Sequence, residues 1–160
     1  MPRVHFVKKA RKDYPEAGIK KGESYYWWKF RYGGLHRSKT KPKPSQLTQS
    51  DFLSQVYEIE ERIQEIDIDD DFQAEIDDIV SELEMLRDET EDKLNNMPEQ
   101  LQDTSEAGIL LQDRIDALDD WISDLESVDI SIDEDLSEEE LQDRVDEILE
   151  EIQSYGYMGA

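Results

Sequence analysis

Residues 24–40 read Ser-Tyr-Tyr-Trp-Trp-Lys-Phe-Arg-Tyr-Gly-Gly-Leu-His-Arg-Ser-Lys-Thr, an aromatic run that two glycines interrupt once. Aromatic residues favour strands, and a Gly-Gly pair supplies the positive φ angles of a two-residue hairpin turn. We therefore predict a β-hairpin in which residues 24–32 pair with residues 35–40. A third strand is expected within residues 3–7, because a two-stranded hairpin alone is marginal in water.

The predicted turn fixes which side chains share a face. Tyr32 would pair with Leu35 and Arg31 with His36, and successive side chains of a strand point to opposite faces. One face is expected to form the core, through Tyr26, Trp28, Phe30 and Tyr32. The other face combines flat rings with cations, which suits phosphate contacts and base stacking. The candidate nucleic-acid-binding residues are Tyr25, Trp27, Lys29, Arg31, His36, Arg37 and Lys39.

Two other interpretations of this basic module remain open. All of its aromatic residues can be needed for burial, with the lysines serving only to keep a small sheet soluble and its edges unpaired. Alternatively, the cationic face docks onto an acidic protein, and that acidic protein can be the rest of the same chain.

Residues 24–40 resemble the β-hairpin of the arm-type DNA-binding domains found at the start of phage tyrosine integrases. The resemblance implies a small three-stranded sheet that contacts DNA, and a phage or mobile-element setting. It covers about seventeen residues, and the acidic remainder resembles no family. In particular, the remainder has no Arg, His, Arg and Tyr constellation of an integrase catalytic domain.

The chain is sharply divided by charge. Residues 1–50 contain thirteen Lys or Arg against three acids, whereas residues 51–160 contain five against thirty-nine. The two parts have formal charges of +10 and −34, which together give the −24 of the whole chain. Because opposite fields attract different partners, we expect a binding protein and not an enzyme.

The sequence predicts three segments. Residues 1–40 form the basic aromatic β-module, residues 41–47 a linker stiffened by two prolines, and residues 48–160 an acidic helical bundle or coiled coil. Thr48 is expected to cap the first helix, which would start near Gln49 with Asp51 at its third position. The fold class is therefore α+β: a small three-stranded antiparallel sheet followed by about four helices.

Apolar residues mark those four helices by alternating steps of four and three. The four seams are Phe52, Val56, Ile59, Ile63 and Ile66; Phe72, Ile76, Ile79, Leu83 and Leu86; Leu111, Ile115, Leu118, Ile122 and Leu125; and Leu141, Val145, Ile148, Ile152 and Tyr155. Breaks are expected near 67–71, 95–105 and 128–136. Ser137 is predicted to cap the last helix, Trp121 to flank the third seam, and residues 155–160 to fray. The stripes are narrow, so the helices should pair with each other or with a second chain.

Composition excludes several kinds of site. The chain has no cysteine and two histidines, which excludes disulfides and thiolate zinc sites and disfavours a multi-histidine site. The acidic run from Asp67 has Phe72 where an EF-hand calcium loop needs Gly, and the run from Asp129 has Glu134 there. We expect no catalytic residues, no metal and no cofactor. No apolar stretch predicts a membrane span or an export signal, so a cytoplasmic location is expected.

These observations favour a non-enzymatic nucleic-acid-associated adaptor or regulator. Its basic module would contact a phosphate backbone with low sequence specificity, and its acidic helices would contact a basic protein surface. One alternative is an acidic nucleic-acid mimic that inhibits a DNA-binding protein. Another is a coiled-coil scaffold that forms homodimers.

Overall fold

A computed structural model describes residues 1–68 and 71–160 and confirms the α+β class. Three antiparallel strands come first, and helices follow. The strands are β1 (His5–Val7), β2 (Tyr25–Lys29) and β3 (Leu35–Ser38), with β2 in the centre. The helices are α1 (Asp51–Gln64), α2 (Phe72–Asn95), α3 (Glu99–Gln102), α4 (Glu106–Ser127) and α5 (Glu138–Ser154), and α3 is a single turn. The break predicted at 67–71 lies partly outside the described residues.

The chain forms two compact units, Met1–Glu58 and Ile59–Ala160. Residues 41–47 lie inside the first unit, where Pro44–Leu47 make a 3-10 turn and both Pro42 and Ser45 are buried. The first unit thus includes the sheet, this turn and the start of α1.

The hairpin register differs from the predicted one. Trp28 pairs with His36 and Lys29 with Leu35, so five residues connect the strands and not two. The connection instead turns at Phe30–Gly33, where the Gly33 amide donates to the Phe30 carbonyl at 3.4 Å, and neither Gly33 nor Gly34 has a positive φ. The shift of three residues is odd, so it moves His36 from the predicted face of Lys29 to the face of Trp28.

The sheet buries a ring on both faces, and not only on the predicted face of Trp28. Tyr25 is only 8% exposed and packs with Ala10 and Ile19 from the connection between β1 and β2. That connection folds back through a 3-10 turn, Pro15–Ala17, and two positive-φ glycines, Gly18 and Gly22. The opposite face contributes Trp28, at 4% exposure, whereas Tyr32 is 85% exposed. The central strand therefore has one buried ring on each face.

The helical seams are confirmed where the core forms. The first two seams are buried throughout, and Ile115, Leu118, Ile122 and Leu125 of the third are buried too. In the fourth seam only Ile148 and Ile152 are buried, and Leu141 is exposed. Trp121 is 1% exposed, so it is a core residue and not a flank. These side chains are buried within the single chain.

Helices α2 and α4 form the main pair of the second unit. Arg87, late in α2, lies 3.0 Å from Asp119 in the middle of α4. Ile76, early in α2, lines a surface together with Val128, which directly follows α4. The two helices therefore run antiparallel. The last turns of α1 and α5 are joined by the Gln64 side-chain amide, which donates to the Gln153 carbonyl at 3.3 Å.

One predicted helix cap is confirmed and one is wrong. Ser137 caps α5, and the Ser137 hydroxyl and the Glu140 carboxylate form a reciprocal capping box. For α1 the cap is Ser50, whose hydroxyl accepts from the Leu53 amide at 3.3 Å. Thr48 instead accepts from the Ser50 amide, at 3.2 Å. The helix begins at Asp51, two residues later than expected, so Ser50 and not Thr48 directly precedes its first turn.

Candidate nucleic-acid interface

The seven candidate residues are not gathered on one face. Register places Tyr25, Trp27, Lys29 and Arg37 on one side of the sheet and His36 on the other. Arg31 lies in the connection between β2 and β3, and Lys39 follows β3. The prediction that Arg31 and His36 lie on the strand face of Lys29 is therefore wrong.

Two of the candidate aromatic rings are already engaged within the unit. Tyr25 lies against the Tyr14 ring, 5.4 Å between centroids, and burial raises the pKa of its hydroxyl, with a further contribution from a hydrogen bond with Tyr14. Trp27 is half-buried and stacks on His5, with 4.2 Å between ring centroids and 12° between the planes. Since the ring of Tyr25 is buried, we leave Tyr25 out of the proposed contact surface.

Two candidate cations are neutralised by acids of the same unit. An Arg37 guanidinium nitrogen lies 3.3 Å from a Glu16 carboxylate oxygen, and the group also lies 4.1 Å over the Tyr14 ring. The Lys39 ammonium lies 3.4 Å from Glu23. The pKa of Glu23 is lowered, first by the hydrogen bond that the Lys20 backbone amide donates to it and then by Lys39. These pairs fasten β3 and its extension to the connection between β1 and β2.

His36 is exposed and stacks on Trp28, with 5.6 Å between centroids and 13° between planes. The Phe30 ring also lies against the His36 ring, with 5.4 Å between centroids and 79° between planes. His36 thus covers the buried Trp28, away from Lys29.

Lys29 and Arg31 differ from the other candidate cations. Both side chains are exposed, and in the described part of the chain neither forms an ion pair with an acid. The Arg31 guanidinium lies 5.3 Å over the ring of Tyr32, which is itself exposed. Both cations line a surface groove of about 590 Å³, and none of the described residues that line it is acidic.

The groove has an aromatic and apolar surface beside these cations. Phe30 lies between Lys29 and Arg31, and Leu53 and Tyr57 lie opposite, one helical turn apart on α1. Met1, Pro2, Leu47, Thr48 and Gln49 complete the lining. We call this surface, from Lys29 to Arg31 and from Leu47 to Tyr57, the cationic groove.

Gly33 lies close to one wall of the cationic groove. A Cβ atom there would lie 2.5 Å from the Gln49 side-chain nitrogen and 3.0 Å from the Phe30 Cβ. The Gln49 nitrogen ends a flexible, exposed side chain and can move aside, whereas the Phe30 Cβ leaves little room for a side chain at Gly33. Gln49 thus contacts the turn that presents Arg31.

Sequence reasoning missed the wall that α1 provides. Leu53 and Tyr57 each directly follow a buried residue of the first seam, Phe52 and Val56, and both are half-buried. The sequence signal for this wall was a pair of large side chains, four residues apart, beside the first seam. Their meeting with the hairpin depends on tertiary packing, which periodicity does not reveal.

The second unit presents carboxylates at its surface and uses its arginines between its own elements. Arg62 of α1 lies 2.8 Å from Glu82 of α2, and Arg87 of α2 lies 3.0 Å from Asp119 of α4. Hydrogen bonds from Arg87 to Asp119 and then to Asp88 raise the pKa of the guanidinium. Arg144 donates to the Asp129 carbonyl at 2.6 Å. These three arginines thus connect elements of the fold, and Arg114 donates to the Ala160 carbonyl at 3.1 Å.

The acidic turn at Asp129 satisfies its own carboxylate. Asp129 accepts from the Ser131 hydroxyl at 2.6 Å and from the Ser131 amide at 3.0 Å, which lowers the pKa of the carboxyl. Across residues 1–68 and 71–160, no three His, Cys, Asp or Glu side chains are grouped to hold a metal ion. The Asp67 run extends outside the described residues.

Comparison with known proteins yields no relative: no family model, curated protein or solved structure matches this chain. Among the described residues, no helix has the length and apolar character needed to cross a membrane.

Proposed function

We propose that this protein is a non-enzymatic nucleic-acid-associated adaptor of the cytoplasm, in which the cationic groove holds a phosphate backbone and the acidic helices bind a basic protein. One observation supports this most: Lys29 and Arg31, which no acid neutralises in the described chain, meet aromatic side chains in one groove. The resemblance of residues 24–40 to integrase arm domains is consistent with DNA and with a phage or mobile-element setting.

The two cations supply complementary phosphate chemistry. Lys29 offers a compact, mobile ammonium charge, and Arg31 offers a planar fork of donors that matches two phosphate oxygens at once. Neither contact distinguishes one base from another, so binding is expected to have low sequence specificity. Lys8, Lys9, Arg11, Lys12, Lys20 and Lys21 are all exposed and extend the positive field of the unit.

The acidic helices are the proposed site for the second partner. Residues 51–160 have a formal charge of −34, far beyond what solubility needs. Since the arginines described above are engaged within the fold, a partner would meet mainly carboxylates. A basic protein surface is the matching chemistry.

The test compares two charge-matched variants of the full chain. Lys29→Gln with Arg31→Gln removes two charges from the cationic groove, and Lys20→Gln with Lys21→Gln removes two exposed charges outside it. Binding to labelled single- and double-stranded DNA and RNA is followed by fluorescence anisotropy. Each phosphate contact to a single strand contributes a salt slope of about 0.7, or roughly fivefold in affinity at about 0.1 M salt. We expect the groove variant to lose about 25-fold and the control clearly less; equal losses would refute the groove as the site.

The acidic-mimic alternative is favoured by one observation, the excess of carboxylates on residues 51–160. It predicts salt-sensitive binding to a basic protein together with no binding of the wild-type chain to any nucleic acid. The anisotropy measurement with the wild-type chain therefore distinguishes the adaptor, which binds nucleic acid, from the acidic mimic, which does not. A dimeric mass in analytical ultracentrifugation would instead favour the homodimeric scaffold.

A further inference from the structure

We infer that the cationic groove selects single-stranded nucleic acid over duplex, with unpaired bases on Phe30 and Tyr57 and phosphates at Lys29 and Arg31. This inference rests on the proposed function and specifies its ligand. Two aromatic side chains of the first unit, Phe30 and Tyr57, line the cationic groove and support it.

Most rings of the two sheet faces are covered within the unit. On one face of β2, Tyr25 is buried and Trp27 is stacked on His5 at 4.2 Å. On the other face Trp28 is buried and His36 stacks on it, whereas Phe6 of β1 is exposed and lies against Tyr26, with 5.0 Å between ring centroids. Arg37 and Lys39 are paired to Glu16 and Glu23, so acids of the same unit engage these two cations.

The cationic groove has the composition that a single strand needs. Phe30 lies between Lys29 and Arg31 in sequence. Tyr57 lies with Leu53 on the wall that α1 provides. Phe30 and Tyr57 are both half-buried, so each ring is held by packing and keeps accessible surface. Stacking on such rings is favourable for any base, because every base has an aromatic face.

A duplex cannot use this surface in the same way. Its bases are already stacked and paired, so it offers phosphates and groove edges to a protein but not base faces. Lys29 and Arg31 would contact either form through phosphate. Phe30 and Tyr57 would add affinity only for the single strand, and that difference is the proposed selectivity.

The experiment measures full-length protein against a labelled oligothymidine of about twenty nucleotides and a mixed-sequence duplex of equal length. The variants Tyr57→Leu and Phe30→Leu each remove a ring and keep an apolar side chain, and Phe6→Leu removes an exposed ring outside the groove lining. We expect each groove variant to lose roughly tenfold or more on the oligothymidine. Duplex affinity and the salt slopes should not change, and Phe6→Leu should bind both probes like wild type. Far-UV circular dichroism checks the fold, and having two groove variants keeps the test intact if one of them misfolds.

The outcomes separate this inference from the proposed function. If the duplex binds as tightly as oligothymidine, or if removal of a ring weakens both probes equally, single-strand selection is refuted. The proposed function survives that result as long as Lys29→Gln with Arg31→Gln still weakens binding. If the wild-type chain binds neither probe, both proposals fail together.

Discussion

Replacing Gly108 by alanine should destabilise the helical unit, although alanine is normally the better helix former. Gly108 lies in the first turn of α4, where its amide donates to the capping hydroxyl of Ser105 at 3.0 Å. A Cβ atom there would lie 2.6 Å from the Leu101 carbonyl oxygen and closer still to that of Gln102. These are backbone atoms of the preceding turn, so no change of rotamer relieves the contact.

The expected loss follows from two opposing effects. Alanine gains about 1 kcal/mol over glycine in a helix, whereas overpacking a close contact costs typically about 1–3 kcal/mol and occasionally more. Because the contacted atoms are backbone, we take a cost of about 2–3 kcal/mol from this range. The net effect is then a loss of about 1–2 kcal/mol, which lowers Tm by roughly 2–8 °C in a protein of this size.

Thermal unfolding followed by circular dichroism at a helix wavelength measures that loss. The control is Gly156→Ala in the same unit, where the nearest atom to a new Cβ is the carboxylate end of Glu60 at an ordinary 3.4 Å. We expect the control to unfold close to wild type. A Gly108→Ala protein as stable as wild type, or more stable, would refute the steric argument.

Two further predictions concern the second unit. Burial raises the pKa of Tyr157 to about 12, so the stability that its neutral ring contributes should be present below the usual tyrosine pKa of about 10 and lost as the pH rises through about 12. Ultraviolet absorbance of tyrosinate is titrated in wild type and in Tyr157→Phe, and the difference between the two curves should show one hydroxyl that ionises near pH 12. A difference curve centred at the usual tyrosine pKa would contradict the burial of Tyr157. Ser137→Ala removes the hydroxyl that accepts from the Glu140 amide and should cost about 1 kcal/mol, measured by chemical denaturation, whereas no loss would mean that the cap is not needed.

The helices could be predicted because their signal is local. Each seam repeats within one segment, so Ile79 and Leu83 are assigned to the core without knowledge of their partners. The exception is the start of α5, where Leu141 follows the seam and is nevertheless exposed. The expectation that residues 155–160 fray was also wrong, since the Ala160 amide donates to Asp113 at 3.1 Å and Arg114 donates to the Ala160 carbonyl at 3.1 Å.

The hairpin register could not be predicted from the same kind of local signal. Gly33-Gly34 is typical of a two-residue turn, but Lys29 pairs with Leu35 and leaves a connection of five residues. Burial of Tyr25 depends on Ala10 and Ile19, which are distant in sequence, and the turn residues do not reveal such partners. A pairing shifted by an odd number of residues places every side chain of the second strand on the opposite face. The incorrect turn prediction therefore put His36 on the wrong face.

Residue type indicated candidate cations, but their arrangement could not be predicted. Lys29 and Arg31, predicted as nucleic-acid contacts, line the cationic groove, whereas Arg37 and Lys39 are paired with acids many residues away in sequence. Those pairings depend on how the connection between β1 and β2 folds back, as does the burial of Tyr25. Tertiary packing therefore decides which of the many cations remain free.

The most direct test of the central claim is the salt dependence of oligothymidine binding by wild type and by the Lys29→Gln, Arg31→Gln variant. If both side chains contact phosphates, the slope of log K against log salt should be shallower in the variant by about 1.4, at about 0.7 per contact. A variant with the wild-type slope and affinity, or a wild-type chain that does not bind, would contradict the assignment of the cationic groove as a nucleic-acid site.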